Sequence, residues 1–107
     1  TSSIYQLKKH YPEVYEKVTL REINECSLWF RQNIIKGIEN GLYREEVDVD
    51  TSVNFYYILI FNIHENISSE KEARKLEFSA LEYHTRAMAT PVGIIELEKQ
   101  LQKSITQ

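Results

Sequence analysis

With 107 residues, 42% of them hydrophobic and 27% charged, the chain has the length and balance of one folded domain and lacks the charge-rich, apolar-poor signature of disorder. A formal net charge of −3 is the wrong sign for gripping a phosphate backbone by counterion release, so these residues are not expected to hold DNA by themselves. No run of about 18 apolar residues and no secretion signal is found, and the single Cys26 can close no internal disulfide; the expectation is a cytoplasmic chain that does not cross a membrane.

Three glycines and two prolines are too few for many strands and tight turns, so the expected fold is all-α: one domain, residues 1–107, built as a bundle of about five helices. A short helix over Ser3 to His10 comes first. Tyr11-Pro12 interrupts it, because the residue before proline is pushed out of helical geometry while proline suits the first position of a new helix. Val14, Val18, Ile23, Phe30, Ile34 and Ile38 then form an apolar stripe at helical spacing, predicting a long helix that Asn40-Gly41 ends. Gly37 lies inside this helix at a cost of about 1 kcal/mol relative to alanine, which reads either as a close approach by another helix or a ligand or as a tolerated cost. Leu42 to Val47 is a connection, and Asp48 is placed to cap a third helix running to about Glu65. Val53, Phe55, Tyr56, Tyr57, Ile58, Leu59, Ile60, Phe61 and Ile63 leave that helix almost no polar face, the pattern of a helix surrounded on all sides. Ser69 with Glu72 forms a capping box for a fourth helix, and Thr90-Pro91 opens a last one.

No catalytic arrangement emerges. His10, His64 and His84 are far apart and match no metal-ligand spacing, no glycine-rich phosphate loop is found, and neither enzyme activity nor a cofactor is expected. His64 beside Glu65 could be an acid–base pair, although a histidine in a helix's last turn is commonly explained by the helix dipole or a hydrogen bond. Cys26 is expected to be a small buried residue. Trp29, Phe30, Asn33, Tyr56, Phe61 and His64 are the candidate lining of a pocket for a small, largely apolar ligand; the competing reading is ordinary aromatic core. Asn33 favours the pocket slightly, because a buried amide needs partners.

Three segments carry a family resemblance: LKKHYPEVYEK at Leu7 to Lys17, GIENGLYREEVDVD at Gly37 to Asp50, and YHTRAMATPVG at Tyr83 to Gly93. In order and spacing they resemble the C-terminal regulatory domain of TetR/AcrR-type transcriptional regulators, especially the branch common in Bacteroidetes. The resemblance implies an effector-sensing and dimerisation domain, in the manner of a repressor released from operator DNA by a small apolar ligand. It also implies that operator contact belongs to an N-terminal helix-turn-helix domain absent from this chain. The five segments would correspond to the end of the fifth helix and helices six through nine, with the last two long helices pairing across a two-fold axis as a four-helix bundle in a homodimer. The fourth helix agrees, because it carries one apolar face more than a monomer core needs. Leu76, Ala80, Tyr83, Ala87, Ile94, Leu97 and Leu101 are the candidate dimer seam. The alternative is a stand-alone helical interaction module without a small-molecule site, which a well-packed centre at Trp29 and Asn33 would favour.

Overall fold

A computed structural model describes residues Ser3–Thr106, with side chains from Gln6 to Ser104. Five helices follow in order: α1 (Ser3–His10), α2 (Pro12–Glu39), α3 (Val49–Asn66), α4 (Glu70–Met88) and α5 (Pro91–Thr106). The α1–α2 break is a single residue, Tyr11, whose amide still bonds the Leu7 carbonyl at 2.7 Å.

The ends of the helices use the predicted chemistry. Asp48 accepts from the Thr51 amide at 2.9 Å, and Ser69 from the Glu72 amide at 3.3 Å. The hydrogen bond that Asp48 accepts holds its carboxyl below the usual range. At the end of α2, Gly41 takes φ +73, the left-handed region that costs glycine nothing. The Leu42 amide reaches back to the Gly37 carbonyl at 2.8 Å and the Gly41 amide to that of Ile38 at 3.1 Å, a Schellman closure that turns the chain sharply.

That turn explains Gly37. It lays the Tyr43 ring on the Gly37 backbone so closely that a β-carbon there would sit 2.6 Å from the ring's Cε2. The group that approaches is an aromatic side chain of the same chain, not a neighbouring helix.

Ile23, Phe30 and Ile34 of α2, Val53, Tyr56, Ile60 and Ile63 of α3, and Ala73, Ala80 and Met88 of α4 form the core, with Tyr43 closing one end. The closest helix neighbours are α1 with α2, α2 with α3, and α3 with α4. The Cα atoms span 47 × 33 × 16 Å with a radius of gyration of 15.6 Å, against about 13 Å for an ordinary compact domain of this size. At 8–10 Å between packed axes, a depth of 16 Å holds two stacked helices and no third.

Two expectations fail. Helix α3 is covered on one side only: Phe55 is 60% and Ile58 62% exposed, because there is no further layer to cover its back. Cys26 is exposed on α2 rather than buried, since it falls beside the core stripe of Ile23 and Phe30. No helix among the described residues is long and apolar enough to cross a membrane.

Candidate functional site

The six predicted pocket residues do not converge. Trp29 points outward, 53% exposed, while its neighbour Phe30 is fully buried. Phe30 stacks on Tyr56 with ring centroids 4.1 Å apart, and the His84 ring meets both edge-on. This trio is core. Burial pushes the Tyr56 hydroxyl up to about 12, helped by the charges of Cys26 and Glu77, and holds the His84 imidazole below its ordinary value. Asn33 finds its partner inside the protein: its Oδ1 accepts from the Tyr43 hydroxyl at 2.7 Å. Phe61 lies against Tyr57 and is 37% exposed.

Of the six, His64 and Tyr56 line a cleft. Two adjoining cavities of about 210 and 180 Å³ lie between α2, α3 and α4, and both are bordered by Glu22, His64 and Glu77. Tyr15, Ala73, Glu70 and Arg74 line one, and Ile23, Cys26, Tyr56 and Ile60 the other. His64 does not pair with its sequence neighbour Glu65. Its Nε2 instead meets Glu77 Oε1 at 2.9 Å, and its backbone carbonyl accepts from the Tyr15 hydroxyl at 3.1 Å. Lys8 donates to the Glu65 carbonyl at 3.1 Å, so four helices meet at the end of α3.

The hydrogen bond to Glu77 raises the His64 pKa above its ordinary 6.5, burial opposes the rise, and the charges of Glu77, Glu22 and Glu65 add to it. A raised imidazole pKa contributes stability that is complete below about 6.5 and fades as pH rises through the folded value. His84, depressed by burial, has the opposite sign: its contribution is lost as pH falls below 6.5. The two are separated by difference. Glu77→Gln should lower Tm by about 4 °C at pH 6, about 1 kcal/mol, and by clearly less at pH 9. An equal loss at both values would show that the imidazolium charge contributes nothing.

Chemically, the cleft can hold a small hydrogen-bonding molecule between carboxylates, an imidazole and two tyrosines. Partial desolvation of the Cys26 sulfur on its cleft side, with the charges of Glu77, Glu22 and Glu25, raises the Cys26 pKa. Among the described residues no cluster of His, Cys, Asp or Glu could hold a metal ion.

The predicted seam is divided by α4. Leu76, Ala80 and Tyr83 border a groove of about 420 Å³ with Leu59, Asn62 and Ile63 of α3 and with Ile67 just beyond it, and Ala80 is itself core at 5% exposure. Leu97 and Leu101 border another groove with Phe78, Leu81, Glu82 and Thr85. Residues 76 and 78 lie about 200° apart around a helix, so these are opposite flanks. Ile94 is half-buried and Ala87 exposed.

Two of the three resembling segments meet in space. Tyr43 and Ala89 form an isolated antiparallel bridge, and the Arg44 amide donates to the Met88 carbonyl at 2.9 Å. The Arg44 guanidinium donates to the Ala87 carbonyl at 2.7 Å, which satisfies an otherwise open carbonyl near the end of α4. Thr90 caps α5 by accepting from the Gly93 amide at 3.1 Å, while its hydroxyl donates to the Gly41 carbonyl at 2.7 Å and its amide to that of Leu42 at 2.9 Å. Gly93 is where the Leu42 carbonyl presses in, leaving no space for a β-carbon. This latch ties the end of α2 to the α4–α5 turn, and Arg86 extends it by joining Glu82 at 2.9 Å and Glu98 of α5 at 2.8 Å. Tyr43 and Arg44 stood inside the resembling segment at 37–50 without a role of their own, Gly37 announcing a close neighbour without naming it, and Glu22 and Glu77 gave no signal in the sequence. Compared with protein-family models, curated proteins and solved structures, the chain matches none.

Proposed function

We propose that this chain is the pairing and effector-sensing half of a TetR/AcrR-type transcriptional regulator, acting on operator DNA through a helix-turn-helix domain outside these residues. The observation that carries the reading is the latch. The motif segments at 37–50 and 83–93, chosen for resemblance alone, supply both sides of one joint, which gives their residue types a shared physical reason. In this reading a small molecule enters the cleft at His64 and Glu77, where α1, α2, α3 and α4 meet. It shifts the equilibrium between two arrangements of α2 by its difference in affinity for them.

The test uses the protein expressed from the complete gene. A compound present at 100 times its Kd should stabilise it by about 2.7 kcal/mol, about 10 °C in Tm, and release bound operator DNA. A complete protein with no helix-turn-helix, or one that never binds DNA, ends the proposal. A second reading, a helical interaction module without a ligand site, is favoured by the closed contacts at the predicted pocket: Phe30 packs without exposure and Asn33 is bonded to Tyr43.

A further inference from the structure

Negative charge in the cleft at His64 exceeds what its own cations neutralise. Glu22, Glu70 and Glu77 border it, against Arg74 and the imidazole. Glu70 holds Arg74 at 2.8 Å and Glu77 holds His64 at 2.9 Å. Glu22 takes part in no ion pair among the described residues, and Glu77 is uncompensated as well whenever the imidazole is neutral. The charges of both carboxylates are felt by His64 on α3 and by Cys26 on α2, so they act on the same space.

Carboxylates alone are ordinary solvated surface, but this cleft has two further features. Its two cavities together just reach the roughly 300–1,000 Å³ of a small-molecule pocket, and Ile23, Tyr56 and Ile60 give the second of them an apolar wall. The other feature is an unmet hydrogen bond. The α2 residues that line the cleft, Tyr15, Glu22, Ile23 and Cys26, occupy an arc of about 100° around the helix, and Thr19 falls inside that arc. Thr19 is 2% exposed, and its hydroxyl has no hydrogen-bond partner. Buried hydroxyls are nearly always paired, so the α2 wall holds a donor and an acceptor that the fold itself leaves unused.

We infer that the ligand of this cleft is an organic cation, an ammonium group carried on a small apolar body, rather than the largely apolar molecule that the family resemblance implies. The inference rests on the cleft being the effector site of the proposed function. Glu22 and Glu77 accept hydrogen bonds from the ammonium, and the apolar body lies along Ile23, Tyr56 and Ile60. An anion is repelled by the same two carboxylates, and a neutral molecule leaves Glu22 without a counter-charge. The Thr19 hydroxyl is closed off in the present arrangement and becomes available to a ligand as α2 moves. That gives the cation a difference in affinity between two arrangements of α2, which a ligand-driven shift requires.

Titration of the chain near pH 7.5 with 2-phenylethylammonium, 2-phenylethanol and phenylacetate, followed by amide chemical shifts, tests it, because the three probes share a phenyl ring and differ in charge. The ammonium should bind with a Kd below about 1 mM, within reach of so small a ligand, and should shift the amides of Ile23, Cys26, His64 and Ala73. The alcohol and the carboxylate should bind at least about tenfold more weakly. Glu22→Gln should weaken the ammonium by about threefold or more without unfolding the chain, since that carboxylate has no ion pair to lose. Glu39→Gln, which removes the same charge at the far end of α2, should leave the Kd unchanged. An alcohol that binds as tightly as the ammonium, an affinity untouched by Glu22→Gln or reduced equally by Glu39→Gln, or no saturable shift at the cleft with about 10 mM ammonium overturns the inference. The regulator reading is judged separately by operator DNA: preference for the alcohol leaves it standing, and a complete protein without a helix-turn-helix leaves the cation site standing.

Discussion

Phe30→Ala should cost about 3–5 kcal/mol, the usual range for removing a fully buried aromatic ring, and Trp29→Ala less than about 1 kcal/mol. The two residues are adjacent in sequence and chemically alike, yet Phe30 has no exposure and stacks on Tyr56, whereas Trp29 is 53% exposed. A domain of this size is stable by only about 5–15 kcal/mol. The Phe30 variant therefore loses about a fifth or more of its stability, about 12 °C or more in Tm. Urea unfolding of both variants measures the contrast. Equal losses would mean that Trp29 is buried in the working protein, and that α2 has a partner on its outer side.

The second large effect is expected at Gly93. Helix propensity alone favours Gly93→Ala by up to about 1 kcal/mol, but the new β-carbon would occupy the place of the Leu42 carbonyl. That carbonyl accepts from the Thr90 amide, and the adjoining Gly41 carbonyl accepts from the Thr90 hydroxyl. Because the obstacle is backbone, relief requires the latch to open. Overpacking of about 1–3 kcal/mol together with two hydrogen bonds worth about 1 kcal/mol each, less the propensity gain, gives a net loss of about 2–4 kcal/mol. Amide exchange should show it first in α5. A variant as stable as wild type would mean that the latch yields without loss.

The helices were legible in the sequence because their signals are local. Pro12, Asp48, Ser69 and Thr90 act within one turn of themselves, and the stripe of Ile23, Phe30 and Ile34 needs nothing but its own spacing. The latch was not, because it depends on where distant backbone lies: Gly37 showed that something comes close, and only the folded chain shows that it is Tyr43 and that Leu42 presses on Gly93. The six candidate pocket residues lie apart for a related reason. Periodicity puts Phe30 on the inward stripe and Trp29 about 100° around α2 from it, and nothing in the spacing of α2 says whether a further layer covers that flank. A slab with only two helix layers leaves one of them outside. Asn33 pointed to an unmet need for a partner, and a tyrosine ten residues ahead met it. His64 was correctly placed in the last turn of α3, but its partner Glu77 comes from the next helix, thirteen residues away.

The Thr90–Gly41 bond spans 49 residues, while α2, α3 and α4 pack between neighbours in sequence. Closing so long a segment costs conformational entropy before any contact compensates for it, so helical hairpins of low contact order assemble early and the joint at Thr90 late. Helix α5 is then a separate cooperative unit, anchored at its first turn and by Arg86, that can detach while the remainder stays folded.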